Sequence, residues 1–123
     1  MPKAIYSTKK GLYQEAGAGI VIEKGAATIS GTTATLNSVA GILTTPSLTT
    51  AAGAQSAAYT ITNSYVEAGK QVLLSVQYNG TVGSLPYAAI ETIGAGSFVF
   101  RVSNIKAAGA SLDAVVKVHF LVI

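Results

Sequence analysis

The stretch QVLLSVQYNG, residues 71–80, carries the clearest secondary-structure signal in the sequence. Its large side chains recur at every second position, as Val72, Leu74, Val76 and Tyr78. A period of two places these side chains on one face of a β-strand, because successive side chains of a strand point to opposite sides. The dipeptide Asn79-Gly80 is typical of a tight turn. The stretch therefore predicts a strand that buries one face and ends in a turn.

Segments of similar character lie on both sides of this strand. They are short, rich in β-branched and aromatic residues, and cover residues 27–37, 40–48, 56–64, 85–93, 97–105 and 114–123. Helices are disfavoured because glycines and β-branched residues interrupt every window long enough for three turns. About seven or eight strands at this spacing indicate an all-β fold. We predict an antiparallel β-sandwich, like a jelly roll or Greek key, over residues 26–123.

A faint internal repeat supports a sandwich built from similar halves. YTITN at 59–63 and FRVSN at 100–104 both present an aromatic residue, an apolar residue and Asn at alternate positions. Each is followed by a loop containing Ala-Gly and then by a β-rich run. Because Asn side chains hydrogen-bond loop backbone, Asn63 and Asn104 are predicted to fasten equivalent corners.

Residues 1–25 differ from the rest of the chain. Lysines and tyrosines are interleaved with a Gly-Ala stretch, and neither strand nor helix periodicity persists there. We predict an extended arm that becomes ordered only against a partner. The segment lacks an apolar run of signal-peptide length, and no window of about 20 residues in the chain is apolar enough to span a bilayer. The sequence therefore predicts neither an export signal nor membrane contact.

The most informative feature of the composition is its shortage of charge. Only 11% of the 123 residues are charged, against roughly 25% in an average soluble protein, so part of the exterior must be neutral or apolar. Such surfaces usually contact another chain, which favours a homo-oligomer. The net charge of +3 includes a single arginine, Arg101, which is too few for phosphate or guanine recognition. Nucleic-acid binding is therefore not expected.

The residues that support catalysis or metal binding are sparse. The chain has no cysteine, one histidine, His119, and five acids in unremarkable contexts. A catalytic triad would need His119 as its base, and a zinc site would need three or four ligands. A glycosidase would need two carboxylates flanking a sugar bond. We therefore predict no enzyme activity, no catalytic residues, no metal and no cofactor.

The last strand, VVKVHFLVI at 115–123, has one wholly apolar face and one mixed face. Val116, Val118, Phe120 and Val122 share the first face, which we expect in the core. Lys117, His119 and Leu121 share the second face, which is too apolar for open water but carries a charge and an imidazole. These residues, with Ile123, are predicted to lie at a subunit boundary. The alternative is a monomer in which this strand is simply central in its sheet.

Two segments carry a resemblance to a known family. They are TITNSYVEAGKQVLLSVQYNGT at 60–81 and GSFVFRVSNIKAAGASLDAVVKVHFLVI at 96–123. Together with the motifs TNSYV and VSN and the strand VVKVHFLV, they resemble small virion-associated structural proteins of tailed bacteriophages and prophages. The resemblance extends from about residue 52 to residue 123. It implies a jelly-roll decoration (cement) or head-fibre subunit, a trimer, on the exterior of the virion, and it carries over no catalytic residues.

This resemblance leaves two functions open. As a capsid decoration protein, the chain would contact the major capsid protein or another virion protein through its arm, and the predicted contacts are Lys3, Tyr6, Lys9, Lys10 and Tyr13. As a host-recognition knob, it would bind cell-surface glycan through loops such as NGTVGSLPY at 79–87. Tyr65, Tyr78 and Tyr87 lie near predicted loops and could stack on sugar rings, although ordinary packing of strand-end tyrosines is the better explanation.

Overall fold

The computed structural model describes residues 4–7, 11–14 and 22–123 as an all-β protein. In chain order, the strands are β1 (Ala4–Ser7), β2 (Gly11–Gln14), β3 (Lys24–Thr28), β4 (Thr33–Thr35), β5 (Ala40–Thr44), β6 (Tyr59–Thr62), β7 (Val72–Tyr78), β8 (Pro86–Gly94), β9 (Ser97–Asn104) and β10 (Val116–Val122). The prediction of an all-β chain is confirmed. Among the described residues, no helix is long and apolar enough to cross a membrane.

The segment predicted as an arm contains short strands. β1 and β2 pair antiparallel, with Tyr6 opposite Leu12 and Ile5 opposite Tyr13. β3 begins at Lys24, two residues before the predicted start of the sandwich. Lys3, Lys9 and Lys10 lie outside the described residues, so the extended arm and its contacts stay a prediction.

Two four-stranded sheets form the rest of the described chain. Sheet I has the order β3-β5-β10-β7, and sheet II has the order β4-β6-β9-β8. Every connection from β3 to β8 crosses between these two sheets, and within them only β8 and β9 are both consecutive in the chain and adjacent in a sheet. Each sheet therefore takes its strands from the whole length of the domain.

Both sheets are mixed, so the prediction of purely antiparallel sheets was wrong at two places. β3 runs parallel to β5 in sheet I, and β4 runs parallel to β6 in sheet II. A chain that crosses to the other sheet and back returns in its original direction, which makes such pairs parallel. A jelly roll is built from antiparallel strands, and these two pairs depart from it.

The core lies between the two sheets. Alternate residues of the strands point into it, as the period of two in the sequence predicts. Tyr59, Phe98 and Phe100 point inward from sheet II, and Phe120 points inward from sheet I. The ring centroids of Phe98 and Phe120 are 5.7 Å apart, and those of Tyr59 and Phe100 are 5.5 Å apart. Tilted rings at these distances stabilise the pair beyond their area burial. The aromatic cluster therefore joins the two sheets.

The two predicted corner asparagines are completely buried. The Asn63 amide donates to the Ser38 carbonyl at 2.7 Å, and its Oδ1 accepts from the Tyr65 N–H at 3.0 Å. The Asn104 amide donates to the carbonyls of Ala110 and Thr50, and its Oδ1 accepts from the Leu85 N–H at 3.2 Å. Both lie where the chain leaves sheet II for sheet I. The prediction that they fasten equivalent corners is confirmed.

Replacement of either buried amide should destabilise the fold strongly. Asn104→Ala leaves the Ala110 carbonyl and the Leu85 N–H without a hydrogen-bond partner, and Asn63→Ala likewise leaves one carbonyl and one N–H unpaired. An unsatisfied buried polar group costs about 1–3 kcal/mol, so each variant should lose at least about 2 kcal/mol of unfolding free energy in urea. Asn37→Ala is the matched control, because Asn37 is exposed and accepts one hydrogen bond from Ser64. Equal losses in all three variants would contradict this account.

Candidate subunit interface

The predicted interface residues lie on β10, which is the strand between β5 and β7 in sheet I. The apolar face of β10 is in the core as predicted, with Val116 and Val118 fully buried. On the other face Lys117 is exposed, while His119 and Leu121 are half-buried. Ile123, just after β10, remains 60% exposed. The strand is therefore central in its sheet, and its mixed face lies on the surface of the described chain.

Strand register extends this mixed face into three rows across sheet I. Next to Leu121 lie Ala40 on β5 and Leu73 on β7, and Lys24 on β3 completes that row. The middle row is Ala26, Ile42, His119 and Ser75. The third row is Thr28, Thr44, Lys117 and Gln77. Polarity therefore changes along the face: apart from Lys24 at the β3 edge, it is apolar at the Leu121 end and polar at the Lys117 end.

The Leu121 end of the face forms a shallow groove of about 360 Å³. Ile22, Leu73 and Leu121 line it together with His119. Ile22 and Leu73 are each about half exposed, at 50% and 49%. His119 Nε2 lies 3.3 Å from Gln77 Oε1, and this contact orients the imidazole toward the polar side of the groove. We call Ile22, Leu73, Leu121 and Ile123 the apolar patch.

This arrangement suits protein contact better than chemistry. Full burial of a large aliphatic side chain is worth roughly 1.5–3 kcal/mol, so each half-exposed member of the apolar patch would contribute about half of that on contact. Lys117 and Gln77 would stay at the polar rim, where hydrogen bonds set orientation rather than affinity. No group of His, Asp and Glu able to hold a metal ion occurs in residues 4–7, 11–14 and 22–123.

Sequence reasoning found β10 but missed its neighbours on this face. The sequence could have identified Leu73, because it is the one apolar residue on the outward face of β7, where the other residues are Ser75 and Gln77. Ile22 could not be identified, because β3 is KGAAT and lacks the large side chains that reveal a strand. The Gly25–Gly41 pair lets β3 approach β5, and the space above both glycines is filled by Leu36.

The surface tyrosines do not form one aromatic platform for a glycan. Tyr65 follows β6 at one end of the sheets, whereas Tyr78 ends β7 at the other. The Tyr78 hydroxyl donates to Asp113 Oδ1 at 2.8 Å and accepts from the Asp113 N–H at 2.9 Å. Tyr87 lies on β8 in sheet II, opposite Ser103. This separation gives no geometric support to sugar stacking by the three residues together.

The carboxylate of Asp113 organises the loop between β7 and β8. It accepts hydrogen bonds from the hydroxyl and the N–H of Thr81 and from the Tyr78 hydroxyl. These bonds stabilise the charged form and lower the pKa of Asp113, with the Thr81 hydroxyl as the largest cause. A side chain at Gly80 would collide with Tyr78 and Asp113, so the turn requires glycine there.

The lowered pKa of Asp113 predicts a pH-dependent contribution to stability. A depressed pKa stabilises the folded state above the unfolded-state value of about 3.9, and this contribution is lost as the pH falls through the folded-state pKa. Asp113→Asn should therefore be less stable than the parent chain at pH 7, and the difference should shrink below about pH 4. Urea unfolding at several pH values measures it, with Glu67→Gln on another exposed loop as control. A difference that is the same at every pH would contradict this prediction.

The only arginine of the sequence lies on the outward face of sheet II. Its Nε donates to Glu91 at 2.5 Å, and its Nη1 donates to the Ser56 carbonyl at 3.2 Å. Glu91 sits at a bulge in β8, between Ile90 and Thr92. Arg101 is thus engaged within the chain, at a groove separate from the apolar patch.

Comparison of the chain with known proteins gives no match. No protein-family model, no curated protein and no solved structure matches the chain.

Proposed function

We propose that this chain is a non-enzymatic structural protein of a virion, a decoration or cement subunit that forms a homo-oligomer on the capsid exterior. The observation that carries the proposal is the outward face of sheet I. There Ile22, Leu73 and Leu121 of the apolar patch line a groove beside His119, and no described residue covers it. An all-β domain with such a face suits a protein whose work is contact with copies of itself and with a shell.

The composition supports an assembling protein. With 11% charged residues, the chain has few side chains that repel a neighbouring copy. Part of the outward face of sheet II is uncharged, with Thr33, Thr35, Thr60 and Thr62 paired across β4 and β6. The resemblance of residues 60–81 and 96–123 to virion-associated proteins of tailed phages supports the same class, including the trimeric state.

In this proposal the segment before β3 attaches the subunit to the particle. Lys3, Lys9 and Lys10 supply positive charge, and Tyr6 and Tyr13 supply amphipathic contact area toward the major capsid protein. Charged residues at such a contact govern association more than the stability of the domain. Attachment and oligomerisation therefore depend on different residues and are separable by mutation.

Introducing a charge into the apolar patch should dissociate the oligomer. In Leu121→Asp, a carboxylate would replace apolar surface that the contact buries, while the same residue is tolerated in the half-exposed face of the free subunit. Light scattering at micromolar concentration should give the variant one third of the parent mass, because the three subunits that meet at the patch separate. Val99→Asp is the matched control, because Val99 is also a half-buried, outward-facing residue of a central strand, in sheet II.

Two outcomes would contradict the proposed interface. A monomeric parent chain would remove the need for any subunit contact on this face. Equal dissociation by Leu121→Asp and Val99→Asp, with folding checked by circular dichroism, would mean that the contact lies elsewhere.

Reversing the charge of the N-terminal segment should abolish attachment without changing the oligomer. We expect Lys9→Glu combined with Lys10→Glu to keep the parent mass but to be lost from particles purified from the strain that encodes the chain. Electron microscopy with antibody labelling measures occupancy, and Lys106→Glu, on an exposed loop outside both proposed contacts, is the control. Normal occupancy of the Lys9/Lys10 variant would exclude this segment as the anchor, and absence of the parent chain from all particles would overturn the virion role.

A further inference from the structure

The two packed sheets end in four edge strands, and three of these edges are protected against pairing. β4 is only three residues long. β8 begins with Pro86 and is interrupted by the bulge at Glu91. β3 begins with Lys24, and Lys is a common edge-blocking residue. Short strands, prolines, bulges and lysines are the devices that stop a sheet edge from pairing with another chain.

The fourth edge, β7, has none of these devices. It is seven residues long, VLLSVQY, with no charge, no proline and a regular register to β10 throughout. Beyond its pairing with β10, no backbone hydrogen bond of Val72–Tyr78 to another element is formed within residues 22–123. A long, uncharged, regular edge of this kind is a template for an additional strand.

The register fixes which backbone groups of β7 are free. Gln71 and Ile123 exchange both of their backbone hydrogen bonds, at 2.8 and 2.9 Å. Hydrogen-bonded pairs alternate along an antiparallel ladder, so Leu73, Ser75 and Gln77 also bond to β10. The even-numbered residues Val72, Leu74, Val76 and Tyr78 therefore direct their N–H and C=O groups to the open edge. Their side chains face the core, so only their backbone is available.

We propose that β7 pairs antiparallel with β7 of a second copy of this chain, about a two-fold axis at Ser75. This register is the one that overlaps the whole strand, and it pairs even residues with even residues, Val72 with Tyr78 and Leu74 with Val76 of the other copy. All outward N–H and C=O groups are then satisfied. The two copies of sheet I become one continuous eight-stranded sheet, and this contact does not rest on the virion role.

Charge complementarity supports the second copy as the occupant. Lys70, just before β7, would lie opposite Gly80 of the other copy. Gly80 is packed against the Asp113 carboxylate, which is exposed and negatively charged. The two-fold axis places each lysine beside an aspartate of the other copy, once at each end of the paired strands. Opposite charges that meet in this way select the register.

Disulfide cross-linking tests both the partner and the register, because the parent chain has no cysteine. Ser75 would face Ser75 of the second copy in a non-hydrogen-bonded pair, where Cα atoms are about 4.5 Å apart, within the range that a disulfide spans. Ser75→Cys, mildly oxidised at micromolar concentration, should run on a non-reducing denaturing gel at about twice the 12.4 kDa chain mass. Gln77→Cys is the matched control, because its two copies would be offset by four residues, about 13 Å.

Each outcome decides the proposal. Cross-linking of Ser75→Cys without Gln77→Cys supports the contact and its register. Cross-linking of both variants to the same extent, or of neither, overturns it. Slow exchange of the even-numbered amides in a monomeric parent chain would also overturn it, because another part of the same chain would then cover the edge.

Charge pairing at the same position gives a second, independent measurement. Ser75→Lys and Ser75→Glu each place like charges opposite one another, so each variant alone should have half the parent mass in sedimentation. An equimolar mixture should regain the parent mass, because opposite charges then meet at the axis. Failure of the mixture to recover would overturn the two-fold contact even if each variant alone had dissociated.

Discussion

The fold depends on two buried asparagines that hold the chain where it passes from sheet II to sheet I. β6 ends just before Asn63, and β9 ends at Asn104. The strand that follows each of them, β7 or β10, belongs to the other sheet. A corner of this kind leaves backbone groups without ladder partners, and the Asn63 and Asn104 amides supply them from the side chain. Without these hydrogen bonds, the buried corners would have to open to water, and β7 and β10 would lose their alignment.

The alternation of side chains was sufficient to find the strands that form the core. β6, β7, β9 and β10 each bury one face with large residues, so a period of two marks them clearly. β3 was only partly predicted, because Gly25, Ala26 and Ala27 are too small to show an alternation of large apolar and polar side chains. Strand direction and order were not predictable, since a period of two is the same in parallel and antiparallel pairs. The corner asparagines were predictable because their own chemistry, rather than periodicity, identifies them.

The candidate interface was half predictable for a related reason. A strand histidine and lysine beside Leu121 stand out along one strand, but the apolar patch is assembled from residues in or next to three strands, β3, β7 and β10. Leu73 reaches Leu121 only because β7 happens to neighbour β10 in antiparallel register, and Ile22 reaches it through β3. Such contacts depend on sheet order, which no single stretch of sequence contains. The same strand order makes β7 an edge strand. That its edge is open to another strand can therefore be recognised only once the order of the sheet is known.

The two proposed contacts are geometrically compatible. In a pairing about Ser75, Leu73, Ser75 and Gln77 of both copies point to the same side of the joined sheet, because directly opposed residues share a face. The apolar patches, which lie at the Leu73 end of each copy, would then sit on one broad surface at its two opposite ends. Edge pairing leaves both patches free for a further partner, since it uses only backbone groups of even-numbered residues. A pair of copies that presents two identical patches on one side binds a neighbouring pair more tightly than one patch would, because the second contact becomes intramolecular.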